Sequence, residues 1–434
     1  MASKLVAWMQ VLAGFLLMFN TWGLINAFGV FQEYYTSFSP PLSNPSSVSW
    51  IGSIQIFLLL LSGSATGTFV DRGYAKTLAF SGCGLLALGL LFTSFSGEFG
   101  KDEIKRPVYY QILLSQGILS GLGMGLLLVP STAVVPTYFK ENRALAVGLA
   151  NTGASIGGII YPIVTRQMIS VVGFHWAVRI TALLVLLSTA LGGMMLVQRP
   201  ELTQNPGKRK LWDWKCIGDG RYALFAAGIF FAFAGLYIPY FYITAWARDT
   251  AIPLHGLQPY YLVCILNAGG LAGRIVPPLL ADRVSASTTL LIQGIAALCC
   301  GVLAATWTSI GKSMAALLVW IVAYGLFSGS VISLIPASAA VLTTDLKSLG
   351  GRLGVVFAGN AFAILLGNPV AGAIWKQTAG DWAGLAIHCA AFTLAGGALL
   401  VACWVWVTRI QRKVEIDNHG ARPVLDSVRL NPPA

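Results

Sequence analysis

The stretch ILNAGGLAGRIVPPLLADR, residues 265–283, places a cation in a run otherwise built of apolar and small residues. Arg274 keeps its charge at any physiological pH. Its planar guanidinium offers five donors in a fork that fits a carboxylate, or a phosphate, in two-point contact. If the helix ends near Asp282, Arg274 lies eight residues, about 12 Å, from that end. An arginine that deep in a membrane helix is unfavourable by roughly 2.5–3.5 kcal/mol on insertion scales, and it faces a cavity or a partner unless it snorkels back to the interface. Asn267 stands seven residues earlier, about two turns, and so shares its face.

Other polar side chains interrupt equally apolar surroundings: Asn20, Asn26, Gln116, Asn151, Tyr237, Tyr240, Ser328 and Asn360. Each must find a hydrogen-bond partner, in a neighbouring helix or in a ligand. All 16 acidic residues fall in loops, at helix ends or in the tail, so no intramembrane acid stands ready as a proton relay. His388 is the one remaining titratable candidate, and a lone histidine there reads as a packing residue. The expectation is facilitated transport, or a proton carried by the substrate itself.

Short motifs of other chemistries lack their context. GCGLLA at 82–87 has no strand before it, and GKS at 311–313 lacks the upstream glycine of a phosphate loop. Gly117, Gly121 and Gly125, then Gly153 and Gly157, recur every fourth residue and read as faces for close helix packing. Nucleophile elbow, metal cluster and paired carboxylates are absent, so the expectation is no enzyme, no cofactor and no metal. The cysteines read as small core residues rather than disulfides.

The elements that must position these groups follow from composition. Of 434 residues only 10% are charged and 56% are hydrophobic, with mean hydropathy +0.73, far from the roughly 25% charged residues of a soluble domain. Apolar runs long enough to cross about 30 Å of hydrocarbon as helices lie near 6–31, 48–70, 77–95, 109–135, 144–165, 177–197, 222–246, 257–281, 287–308, 315–342, 353–375 and 382–408, twelve in all. The first is too long for a secretory signal and reads as a retained span. The formal charge of +12 could point to nucleic acid. Of the 28 Lys and Arg, however, nineteen fall in segments on the side of the N-terminus, eight on the other, and Arg274 within a span. That is the positive-inside pattern, with both termini cytosolic, and anionic headgroups account for the charge.

The longest polar interruption, residues 198–221, divides the spans six and six. The halves repeat weakly: GTFVDR and PLLADR close spans 2 and 8, VPSTAVV and IPASAAVL sit in spans 4 and 10, Arg143 and Arg352 open spans 5 and 11, and HWA and DWA begin spans 6 and 12. The expected domains are a six-helix bundle at 1–198, a linker at 199–220, a second bundle at 221–408 and a tail at 409–434. Two such bundles around a midplane cleft are a common plan for secondary transporters.

These features together resemble the major facilitator superfamily. FNTWGLINAFGVFQEYY, SSVSWIGSIQ, VDRGYAK, YFKENRALAVGLANTGASIGGIIYP and GFHWAVRI look like its monocarboxylate transporter-like branch, particularly the fungal members, over essentially the chain from Trp8 to Arg412. The resemblance implies an all-α membrane protein, with spans 1, 4, 7 and 10 lining the cavity and 2, 5, 8 and 11 flanking it, where the polar residues named above fall. It implies that Arg274 anchors a substrate carboxylate. It departs at Gly270, where better-known members carry an aspartate, and at Ile25 or Asn26, where they carry a lysine. The loop after span 2 implies gating roles for Asp71, Arg72 and Lys76, with Arg143, Asp282, Arg283 and Arg352 as the counterpart.

The expected function is alternating-access transport of a small organic acid by a monomeric, multi-pass protein of the plasma membrane. The partners would be the substrate and the lipid bilayer, with no nucleic acid. Two alternatives stay open: a carrier of a non-anionic substrate, such as a fungal metabolite exporter or a vitamin importer, and a transport-dead nutrient sensor.

Overall fold

The protein is described here as a computed structural model covering residues 4–36, 45–97, 108–139, 143–198, 214–284, 287–343, 349–378 and 380–429. Every ordered element among these residues is helical. A backbone crossing hydrocarbon must satisfy its own N–H and C=O groups, and a helix does so within one segment.

Among the described residues eleven helices are long and apolar enough to cross a membrane. Span 1 is Lys4–Thr36, span 2 Ser47–Val70, span 3 Ala75–Ser94 and span 4 Tyr109–Thr137. Spans 5 and 6 share the 51-residue run Leu145–Met195. The remaining spans are 7 (Gly220–Asp249), 8 (Tyr260–Ala281), 9 (Thr288–Ala305), 10 (Met314–Ser333), 11 (Leu349–Gln377) and 12 (Trp382–Gln411). The shared run would be about 77 Å long if straight, more than two bilayer cores. It turns back at Gly173, whose φ of 78° and ψ of 167° suit a residue without Cβ. The loop expected between spans 5 and 6 is therefore a single reversing glycine, and twelve crossings result.

The helices pack as two six-helix bundles. In the first, span 1 lies along span 5, and span 3 lies against spans 4 and 6; in the second, span 8 lies along span 10, and span 12 against spans 7 and 9. Spans 8 and 10 interlock through glycines. A Cβ on Gly329 would stand 2.6 Å from the Gly270 carbonyl oxygen, and Cβ atoms on Gly273 and Gly325 would run into the Leu326 and Leu266 carbonyls. Two seams join the bundles, span 2 against span 11 and span 5 against span 8. At the first, Gly67 approaches Gly350 and Phe57 meets the Phe362 ring edge-on at 5.3 Å. At the second, a Cβ on Gly148 would stand 2.5 Å from the Arg274 carbonyl oxygen.

Spans 1 and 7 break at matching depths. Lys4–Asn20 gives way at Thr21 to Trp22–Asn26, and Gly220–Leu236 gives way at Tyr237 to Ile238–Asp249. In span 7 the cause is Pro239, which lacks an N–H and fixes its own φ. In span 1 the Thr21 hydroxyl donates back to the Leu17 carbonyl at 2.9 Å, a bond that bends helices.

Candidate functional site

Arg274 is 3% exposed and sits where span 8 meets span 5. Its Nε donates to the Ser155 Oγ of span 5, in the other bundle, at 3.0 Å. No carboxylate among the described residues pairs with it. The Nε–H is thereby engaged by a neutral hydroxyl, and a guanidinium has further donors of a kind that meet a carboxylate in two-point contact. The Tyr237 and Tyr240 phenols lie within electrostatic range of the guanidinium. Gly270 keeps this space open: a Cβ there would stand 3.4 Å from Ser155 Oγ and 4.0 Å from the Tyr240 hydroxyl.

Asn267 makes a second polar link across the same seam. Its Oδ1 accepts from Asn26 Nδ2 at 2.8 Å, and its own Nδ2 donates to the carbonyls of Val263 at 2.9 Å and Gly158 at 3.4 Å. Tyr240 and Ser328 join spans 7 and 10, hydroxyl to hydroxyl, at 3.0 Å. Tyr237 stacks on Trp22 of span 1, with centroids 5.6 Å apart and planes 19° from parallel. Thus Arg274, Asn267, Asn26, Tyr237, Tyr240 and Ser328 gather around the boundary between the bundles.

Two of the other polar residues bond within the first bundle. Asn20 is held inside the first bundle, where its Oδ1 accepts from the Tyr161 hydroxyl at 2.6 Å and the Ser188 hydroxyl at 3.0 Å. Gln116 accepts from the Tyr35 hydroxyl at 2.6 Å. It sits in a π-helical turn, Leu113–Leu119, whose wider register re-aims its side chain. Asn151 Oδ1 and both amide atoms of Asn360 are buried with no hydrogen-bond partner. His388 packs its ring 4.6 Å from Phe392, and its Nε2 also lacks a partner.

Among the residues expected to gate, Arg72 and Lys76 are exposed, with the Arg72 guanidinium 5.8 Å from the Phe69 ring centre. Arg352 donates to the Leu342 carbonyl at 3.2 Å and lies over the Tyr222 ring. Arg283 is exposed. The side chains of Asp71, Arg143 and Asp282 lie outside the described residues.

Two side-chain contacts at the bundle boundary escaped sequence reasoning. Ser155 is one; a serine in a membrane helix is commonplace, and only its partner, 119 residues away, makes it notable. The other is Glu33, at the end of the membrane opposite the termini. Its Oε1 accepts from Arg248 of the other bundle at 3.0 Å and lies 3.8 Å from Arg166 of its own. Its signal was available: it is the sole acid within the first helical run.

Twelve crossings in two bundles, with a buried cation and polar pairs at the interface, define a secondary transporter. A family model described as the Major Facilitator Superfamily matches residues 11–343. The chain belongs to that superfamily. It is 37% identical over 404 residues to the MFS-type transporter dbaD of Emericella nidulans, covering 91% of this chain and 85% of that protein. It is 35% identical to an agnestins efflux protein of Paecilomyces divaricatus, covering 84% of this chain and 80% of that one. With the aspyridones efflux protein apdF of Emericella nidulans it shares 32% identity over 91% of this chain and 76% of that one. The solved proton:xylose symporter XylE superposes with a TM-score of 0.69 at 12% identity, covering 93% and 94% of the two chains, a likeness of fold alone.

Proposed function

We propose that this transporter exports an organic acid whose carboxylate is held by Arg274. The observation that carries this reading is the buried guanidinium itself. It is 3% exposed, has no acidic partner among the described residues, and its Nε is already engaged by a neutral hydroxyl. A cation so placed is unfavourable by several kcal/mol unless something compensates it, and a substrate carboxylate does so in every loaded cycle. The names of the agnestins and aspyridones efflux proteins support an outward direction and a fungal metabolite as cargo. The motifs of span 1 and of the start of span 5 support placement near the monocarboxylate transporter-like branch.

In this reading bundles 1–198 and 221–408 rock about the seams, with 199–220 as the linker. Asn26, Asn267, Tyr237, Tyr240 and Ser328 line the cleft beside Arg274, and the Asp71 and Asp282 turns close it on the side of the termini. The protein works as a monomer in the plasma membrane, both termini cytosolic. The proton travels on the substrate or not at all.

The test is transport by purified protein in vesicles, with carboxylates paired against their amides, in wild type and Arg274→Gln. Preference for the acid in wild type, lost in the variant, is the expected result. Equal handling of acid and amide by wild type refutes the reading. Repeating the uptake with an imposed proton gradient settles coupling, and accumulation driven by that gradient with a non-protonatable substrate would refute the relay-free mechanism.

A further inference from the structure

Trp22 and Tyr237 stack face on face across the boundary of the bundles, where Phe57–Phe362 and Phe28–Phe241 meet edge-on or tilted. The stacked pair are 6% and 2% exposed, and their rings lie nearly parallel with centroids 5.6 Å apart. Each stands at the break of its span, one just after Thr21, the other at the turn before Ile238–Asp249. Side chains at matched breaks of spans 1 and 7 can separate or close as the bundles rock, without unwinding a helix.

Most of the contact between the bundles has no such latitude. The seams at Gly148, Gly158 and Gly67 are closed by backbone or by short polar side chains. The aromatic pair, in contrast, meets face to face, and the surfaces it would expose on parting are flat, apolar and π-rich. Flat rings prefer an offset-stacked partner to aliphatic contact. Further rings continue the wall: Tyr240 lies 5.4 Å from Tyr237, and Phe28 of the first bundle lies 5.8 Å from Phe241 of the second. A narrow gap adjoins Tyr237, bordered by Ile25, Asn26, Gly29, Tyr240 and Phe241. Tyr240, 5.4 Å from Tyr237, has its hydroxyl 4.0 Å from where a Cβ on Gly270 would stand, one turn before Arg274, so the rings and the cation share one region.

Resting on the reading of Arg274 as the acid anchor, we propose that the cargo is an acid with a planar, conjugated body, and that Trp22 and Tyr237 part to clasp that body between them. Parting by about one ring thickness, roughly 3.5 Å, admits an aromatic ring in van der Waals contact with both faces. A saturated ring is thicker and puckered and meets each face poorly. The closed stack is then the empty arrangement of a clamp contributed equally by both bundles. Substrate in the clamp links the rings of span 1 and span 7, and its acid links both to span 8.

Benzoate and cyclohexanecarboxylate differ in planarity at almost equal size, and each has an amide. Equilibrium binding of these four labelled probes is measured on full-length protein for wild type, Trp22→Leu, Trp22→Tyr and Arg274→Gln. Wild type is expected to favour benzoate over cyclohexanecarboxylate about 10-fold, equivalent to about 1.4 kcal/mol. Trp22→Leu should shrink that ratio to within about 2-fold while acid is still preferred to amide, and Trp22→Tyr should retain it. Equal binding of the two acids by wild type overturns the clamp, and so does an undiminished ratio in Trp22→Leu. The wild-type comparison decides even if a variant fails to fold. Loss of the acid-over-amide preference in wild type instead overturns the Arg274 reading, and absence of binding by either acid overturns both.

Discussion

Arg274 Nε donates to Ser155 Oγ at 3.0 Å, so the buried cation of the second bundle is oriented by a hydroxyl of the first. The partner is neutral. It fixes the plane of the guanidinium without cancelling its charge, which stays available to an anion arriving at the remaining donors.

Ser155 is accordingly expected to set affinity. Replacing it by alanine removes a hydrogen bond to a charged group and should raise KM for an acid substrate about 10-fold or more, given a usual worth of roughly 1.5–3 kcal/mol. Ser155→Thr keeps the hydroxyl and should stay near wild type. Ser155→Asp supplies an internal carboxylate and should suppress acid transport further than alanine does. Vesicle kinetics across the three variants check this; an unchanged KM in all of them would remove Ser155 from the site.

Two asparagines of span 1 should behave differently. Asn20 binds Tyr161 and Ser188 within its own bundle, whereas Asn26 binds Asn267 across the seam. Leaving a buried partner unpaired costs about 1–3 kcal/mol. Both Asn20→Ala and Asn26→Ala should therefore lower Tm in detergent. Asn20→Ala should leave KM unchanged and Asn26→Ala should alter it, as thermal melts paired with uptake will show.

The Glu33–Arg248 pair spans the bundles at the end opposite the termini. It is partly exposed, so its worth is about 0–1 kcal/mol, enough to shift an open–closed ratio up to about 5-fold. Glu33→Gln should raise the open fraction at that end, and high salt should act the same way on wild type. A cysteine at Gly29, where a Cβ meets nothing within 4 Å, reports on this by maleimide labelling. Labelling that ignores both Glu33→Gln and salt would show that the pair is not a gate.

Glycines within the spans separate into two kinds. Gly325→Val places bulk against the Leu266 carbonyl and should destabilise by about 1–3 kcal/mol or prevent folding. Gly84→Ala in span 3 of the first bundle, with nothing near its Cβ, should be neutral or stabilising by up to about 1 kcal/mol. Monodispersity in gel filtration and Tm distinguish the two.

Asp219 caps the helix that opens span 7, accepting from the Arg221 backbone N–H at 3.1 Å and pairing with its guanidinium at 2.9 Å. The side-chain hydrogen bonds from Arg221, first among its causes, hold its carboxyl below the usual carboxylate range. A lowered folded pKa stabilises above the unfolded value of about 3.9, and that contribution is lost as pH falls through the folded value. Asp219→Ala should therefore lower stability by about 0.5–2 kcal/mol at neutral pH, with the gap to wild type narrowing only below about pH 4. A Tm difference that shrank between pH 5 and 8 would contradict this.

The reversal between spans 5 and 6 shows where sequence reading stopped. Apolar runs on either side announced two crossings, but the loop expected between them is one residue, because Gly173 alone reaches the required φ. Gln116 was visible as a buried amide, yet its partner depended on a π-turn that rotates the helix register, a feature with no local signature in residue type. Asn20 and Asn26 look alike in sequence and are separated in role by the face of the helix on which the Thr21 bend leaves them.

By itself the sequence determined that this chain lives in a membrane, crosses it twelve times, repeats its plan and hides one cation in span 8. Those facts follow from transfer free energies that sum over about 20 neighbouring residues and need no knowledge of contacts. Tertiary structure alone decided that Arg274 meets Ser155, that Asn26 meets Asn267 and that Trp22 stacks on Tyr237. Partner choice depends on how each helix is rotated and on which helices share a seam. Those angles are set by the packing of small residues along helices far apart in the chain, and no window of sequence contains them.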